Sequence, residues 1–262
     1  MQLVFLLLAL GLLPGMPARA DSGHLDRVLA TKVLRVCIWP DYYGMSYRNP
    51  NTQQLTGLGV DMARALAQDL AVQPRFVDSS FVTLIDDVTQ DRCDIAMFGI
   101  GITPARAAKL HFTQPTLVSD IYAITTRSNR RIKDWSDIDK PGVVVAVLKG
   151  TYIEPVMREK LKAASLLVVD NPRAREQEVE SGRADAFITD YPYSVRMLDN
   201  VDWARRVSPP SAYHLTPYAF AMQLGDAAWH VRVEQFVSAV KRDGRLLESA
   251  RRHRLDAIVA PP

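Results

Sequence analysis

The chain has little cysteine: Cys37 and Cys93 are the only two in 262 residues. That excludes a disulfide-stapled mini-scaffold and a cysteine-rich zinc domain, since either needs several thiols at close spacing. Histidine is sparse too, and none of His24, His111, His214, His230 and His253 pairs with another at i, i+4 or falls in an HExxH run. No metal site is expected. After the first twenty positions no apolar run of about 18 residues occurs, so no membrane-spanning helix is expected there. An excess of one charge is also missing. Lys and Arg number 32 against 29 Asp and Glu, leaving +3, too little for a phosphate-tracking surface, and no nucleic-acid partner is expected. Enzyme signatures are absent: no serine lies in GxSxG, Lys149-Gly150-Thr151 has the wrong order for a phosphate loop, and Gly99-Ile100-Gly101 lacks the third glycine of a dinucleotide fingerprint. No cofactor is expected.

What is present is the make-up of an ordinary globular protein of one or two domains, with 48% hydrophobic and 23% charged residues. The start of the chain differs from the rest. Residues 3–13 form an apolar run too short for a bilayer, Pro14 and Gly15 break it, and Ala18-Arg19-Ala20 follows the small-x-small pattern of a cleavage site. The n-region carries no Lys or Arg. The expectation is a signal peptide over residues 1–20, cleaved after Ala20, and an exported, soluble, monomeric periplasmic protein.

From His24 onward, short β-branched runs alternate with amphipathic stretches. Residues 33–38, 75–77 and 94–99 read as strands, and 58–70 and 83–90 as helices. A second unit repeats the pattern, with strands at 143–147, 166–169 and 186–189 and helices at 152–161 and 177–181. This is an α/β pattern of mainly parallel sheets, in which ligands sit beyond the carboxyl ends of strands. Residues 121–126 and 218–222 are extended, read as two crossings between the units, and a single C-terminal helix is expected over 227–255. The basic runs at 127–131 and 251–254 read as solvated surface.

The stretch Gly99-Ile100-Gly101-Ile102-Thr103-Pro104-Ala105-Arg106 carries the most chemistry. A strand ends in glycines that let a backbone approach a ligand, and Thr103 and Pro104 form an N-cap and N1 pair. Arg106 then lies in the first helical turn, where a cation opposes the helix dipole. Either an anion held at that helix end satisfies it, or it is an exposed arginine carrying a small local penalty. The cysteines read as inert. If their strands run parallel in step, Cys37 near the end of one and Cys93 ahead of the other lie beyond disulfide reach, so two buried free thiols are expected. Export would nevertheless permit a bridge.

These residues resemble the extracellular solute-binding proteins of family 3, which serve amino-acid ABC transporters. The resemblance rests on Leu58-Gly59-Val60-Asp61-Met62-Ala63, residues 81–85, Asp91-Arg92-Cys93-Asp94-Ile95 leading into Gly99 to Arg106, Phe112-Thr113-Gln114-Pro115, and Gly182-Arg183-Ala184-Asp185-Ala186 leading to Asp190. It implies a two-lobed type II periplasmic-binding fold, with lobe 1 over residues 21–125 and 219–262 and lobe 2 over 126–218. It further implies a zwitterionic small-molecule ligand and an inner-membrane ABC permease as partners. Carried over by position, Arg106 would bind the ligand α-carboxylate with Thr151 and backbone groups near Gly101 and Thr103. Asp190 and the Gly99 carbonyl would take the α-ammonium, and Tyr42, Phe81, Tyr152 and Trp39 would wall the site. Two departures stand out: Gly101 where many members carry Ser or Thr, and Tyr152 where several carry a small residue.

The sequence also resembles cyclohexadienyl dehydratases, exported enzymes on the same fold, through Leu25-Asp26-Arg27-Val28-Leu29 and Ser46-Tyr47-Arg48. Those enzymes use a glutamate as general acid three residues after the counterpart of Asp190, where this chain has Tyr193, a poor acid near neutral pH. Their Asn-Pro-Gly-Gly-Thr-type loop is replaced by Leu148-Lys149-Gly150-Thr151. A binding protein rather than an enzyme is therefore expected, with the lyase or a ligand sensor for a signalling receptor as alternatives.

Overall fold

Short buried β-branched runs flanked by amphipathic helices can hide both faces only as the central strands of covered sheets. The computed structural model describes residues 23–261; the signal-peptide and cleavage-site expectations lie outside them. Helix α1 (His24–Thr31) leads into β1 (Val33–Ile38), followed by three short strands, β2 (Asp41–Tyr42), β3 (Ser46–Arg48) and β4 (Leu55–Thr56). Then come α2 (Leu58–Asp69), β5 (Gln73–Asp78), α3 (Leu84–Thr89), β6 (Ile95–Gly101), α4 (Pro104–Ala107), β7 (Leu110–Phe112) and β8 (Leu117–Ser119). The second unit holds β9 (Ile121–Thr126), β10 (Val144–Leu148), α5 (Ile153–Lys160), β11 (Ser165–Val169), α6 (Pro172–Glu180), β12 (Ala186–Asp190), α7 (Tyr191–Asn200) and β13 (Ala204–Val207). The chain closes with β14 (Thr216–Gln223), α8 (Ala227–Arg242) and α9 (Arg245–Arg252).

One sheet has the order β5-β1-β6-β14-β7, with β8 beside β14, and the other β11-β10-β12-β9-β13. In each, three parallel strands meet antiparallel partners. Sheet membership changes at Asp120 and again across residues 208–215, just outside the extended stretches read as crossings, because β9 pairs wholly in the second sheet and β14 wholly in the first. Asp120 ties the two crossings together. Its carboxylate accepts the Ile121 N–H at 2.8 Å from one, and the Tyr213 and His214 N–H groups at 2.9 and 2.8 Å from the other.

Helix α2 reaches its sheet only because Gly59 has no side chain, since a Cβ there would lie 1.9 Å from the Met97 carbonyl oxygen. The expected C-terminal helix is two helices. Gly244, with φ of +87°, occupies the left-handed region that glycine tolerates and breaks α8 from α9. The cysteine expectation is also corrected. Cys37 and Cys93 form a disulfide, with Cα atoms 5.6 Å apart. The strands are parallel but not in step: Cys37 stands opposite Ala96, so β6 begins beside the end of β1 and brings Cys93 next to Cys37.

Among the described residues, no helix is long and apolar enough to cross a membrane. His24, Asp91 and Asp94 cluster closely enough to hold a metal ion, but Arg27 and Arg35 already pair with both carboxylates. This is an ion-pair network that pins α1 to the sheet.

Candidate functional site

The carboxyl ends of β1 and β6 in one lobe face those of β10 and β12 in the other, and the residues following each converge. Thr103 caps α4, its hydroxyl accepting the Arg106 N–H at 3.3 Å. The Arg106 side chain turns back over this short helix. Its Nη1 donates to the Gly101 carbonyl at 3.0 Å, its Nη2 crosses to the Gly150 carbonyl of the second lobe at 3.2 Å, and the guanidinium lies 5.4 Å from the Phe81 ring centroid. Arg106 is only 6% exposed, and no carboxylate lies within ion-pair distance among the described residues. Burial pulls its pKa below the ordinary arginine value, yet a guanidinium remains charged in proteins.

Asp190 ends β12 and caps α7, accepting the Tyr193 N–H at 3.2 Å. Its other oxygen accepts the hydroxyls of Tyr218, at 2.7 Å, and Tyr42. The Tyr152 and Tyr218 hydroxyls are 3.2 Å apart. Burial first, and then the Asp190 charge, push the Tyr42, Tyr152 and Tyr218 phenols well above the usual range. All three are therefore neutral donors grouped about one buried carboxylate. Asp190 has no cationic partner among the described residues. Trp39, Tyr42 and Phe81 pack edge-on or tilted with centroids 5.1–5.8 Å apart, forming the wall.

Between these groups lies a cavity of about 20 Å³, room for about one water. Beside Arg106 a larger cleft of about 830 Å³ separates the lobes. Gly99 (φ +70°) admits Tyr42, since a Cβ there would lie 3.1 Å from the Tyr42 ring. The hydroxyl of Thr151 donates to the Leu148 carbonyl at 2.8 Å, closing its own turn. Gly101 and Tyr152, the two departures from the family pattern, prove to be one exchange. A Cβ at position 101 would stand 2.9 Å from Thr216 and 3.1 Å from the Tyr152 ring, so the missing side chain in one lobe makes room for the large one in the other.

The structure places Trp39, Tyr42, Gly99 and Asp190 on the small cavity and Thr103 and Arg106 on the larger cleft, with Phe81, Thr151 and Tyr152 lining both and Gly101 packed against Tyr152. The sequence reading missed Tyr218, taken only as part of a crossing, and Arg175. The signal for Arg175 was legible: Asn171-Pro172 repeats the cap-and-proline start of α4, again with an arginine just inside the helix. Phe98, fully buried in β6, is core filler behind Phe81. Tyr193 is engaged elsewhere. Its hydroxyl donates to Glu176 and lies 3.0 Å from Arg196, and burial pushes its pKa up to about 12.

The family model for bacterial extracellular solute-binding proteins, family 3, matches residues 34–255. The chain belongs to this family. Its fold is accordingly the two-lobed type II periplasmic-binding fold, as structural neighbours share it: the crystal structure of an ancestral amino acid-binding protein, a precursor of cyclohexadienyl dehydratase, superposes with a TM-score of 0.80 at 31% identity, covering 87% of this chain and 98% of that one. Among the curated proteins that the chain is similar to are an enzyme and a binding protein. Cyclohexadienyl dehydratase of Pseudomonas aeruginosa is 36% identical over 190 residues, 72% of this chain and 70% of the enzyme. An L-cystine-binding protein of Escherichia coli K12 is 24% identical over 241 residues, 91% of this chain and 90% of that protein.

Proposed function

We propose that the protein captures a small zwitterion, an amino acid or close relative, between its lobes in the periplasm and delivers it to an ABC permease in the inner membrane. One observation carries this reading: a guanidinium on the interlobe cleft and a carboxylate on the small cavity that adjoins it through Phe81, Thr151 and Tyr152 are both buried, and each is without an ion-pair partner among the described residues. Burying an uncompensated charge is costly, and a ligand bearing one carboxylate and one ammonium relieves both costs together. Arg106 takes the α-carboxylate in a forked contact. Asp190 takes the α-ammonium as the Tyr42 and Tyr218 hydroxyls give way. The first lobe supplies Arg106 and the aromatic wall, the second supplies Asp190, and closure about the crossings stapled by Asp120 brings them together.

The 36% identical dehydratase motivates a second reading, a carbon–oxygen lyase. It needs a proton donor near Asp190, and Tyr193 fits poorly: its pKa is raised to about 12 and its hydroxyl already donates its hydrogen bond to Glu176. The test is to incubate the protein with prephenate and arogenate while following product mass, and to record thermal shifts with amino acids. No turnover is expected, together with about 2.7 kcal/mol of added stability for a cognate amino acid at a hundred times its Kd. Formation of dehydrated product would contradict the receptor reading.

A further inference from the structure

Two arginines are buried among the described residues, Arg106 and Arg175. Every carboxylate near Arg175 is engaged elsewhere. Asp190 holds tyrosine hydroxyls and the α7 cap, and neighbouring Glu176 takes the Tyr193 hydroxyl and pairs with Arg196. Arg175 is 3% exposed, in the first turns of α6, with its guanidinium 4.7 Å from the Phe187 ring centroid and 4.2 Å from that of Tyr193. It makes one hydrogen bond, from Nη1 to the Ile188 carbonyl at 3.3 Å, and its Nε–H is buried without a partner. It lines the same cavity as Asp190, and these two are the only charged side chains of that lining.

We infer that the ligand carries a second negative charge and is an amino acid with a carboxylate side chain, which Arg175 receives. This rests on the zwitterion clamp proposed above and adds the ligand's third anchor. The two aromatic faces hold the guanidinium in place and favour its charge but offer its free N–H no acceptor, whereas a carboxylate would accept from it. Charge balance points the same way. Once the α-carboxylate pairs with Arg106 and the α-ammonium with Asp190, Arg175 is the one charged side chain of the small cavity's lining left without a counter-charge; a neutral ligand side chain would not cancel its charge and a cationic one would oppose it. A monoamino dicarboxylate, with net charge −1, neutralises it. The same buried cation acts against lysine- or arginine-like side chains, so preference and exclusion come from one residue.

Calorimetric titration of the full chain with L-aspartate and L-glutamate, their near-isosteric amides L-asparagine and L-glutamine, and L-lysine tests this without altering the protein. The acids should bind at least tenfold tighter than the amides, with lysine weakest. In Arg175→Gln the advantage of acid over amide should collapse towards unity while amide affinity is retained. Amides or lysine binding as tightly as the acids, or an Arg175→Gln protein that keeps the acid preference, would overturn the inference and leave the zwitterion clamp standing. Absence of binding by every α-amino acid would overturn both. If the variant does not fold, the wild-type ranking alone decides.

Discussion

An Arg106→Ala protein is expected to fold normally and to lose its ligand. The guanidinium contacts two carbonyls and an aromatic ring within the protein and no carboxylate, so removing it deletes a buried uncompensated charge and should leave stability within about 1 kcal/mol or raise it. Bound to an α-carboxylate, the same group becomes one half of a buried charge-assisted pair. Truncating one partner of such a pair costs roughly 2–5 kcal/mol, about a thirtyfold to several-thousandfold rise in Kd. Calorimetry and thermal unfolding on one preparation separate the two effects. Affinity equal to that of the wild type would remove Arg106 from the site, and a collapse in stability would make it a structural residue.

Breaking the Cys37–Cys93 bridge is expected to have the other large effect, on stability alone. The two residues are 56 positions apart, so the bridge closes a loop containing β2 to β4, α2, β5 and α3. Chain-entropy arguments give about 4 kcal/mol for a loop of that length, a large part of a domain's usual net stability of roughly 5–15 kcal/mol. Both ends lie inside the first lobe, and neither cysteine lines the cavity around Asp190 or the cleft beside Arg106. Denaturant unfolding with and without reductant should show this loss, and the Cys37→Ala/Cys93→Ala double variant should match the reduced protein. Two titratable thiols in the unreduced, unfolded chain would contradict the bridge. A disulfide also agrees with the exported location proposed for the protein, because such bonds persist in oxidising compartments.

The sheet centres were legible because their signal is local. A six-residue β-branched run such as β1 needs no partner to be recognised, and its observed bounds, Val33–Ile38, are those read from the sequence. What escaped depends on tertiary partners. Strands β2, β3 and β4 are two or three residues long, too short for any periodicity. Helix α7 opens Tyr191-Pro192-Tyr193 and depends on the Asp190 cap, while Asp190 drew attention as a ligand residue. The disulfide was misread because the stagger between β1 and β6 is set by packing, not by either strand's composition. In the site, Arg106 and Asp190 stood out through local strangeness and family pattern. Tyr218 did not, because it matters only once β14 is brought to the cleft, whereas Arg175 carried a local signal in its Asn171-Pro172 helix start that went unused. The Gly101 and Tyr152 exchange was visible as two oddities, and their mutual contact across the lobes explains why they occur together.

The central claim is that both charges of a zwitterion are read, one by each lobe. The most direct measurement is calorimetric titration of the wild-type protein with its best-binding amino acid and with the decarboxylated and deaminated analogues of that same molecule. The account predicts that the intact amino acid binds and that loss of either the α-carboxylate or the α-ammonium weakens binding by at least thirtyfold, the lower end of the cost of an unpaired buried charge. An analogue lacking either group that binds as tightly as the parent would contradict the clamp between Arg106 and Asp190.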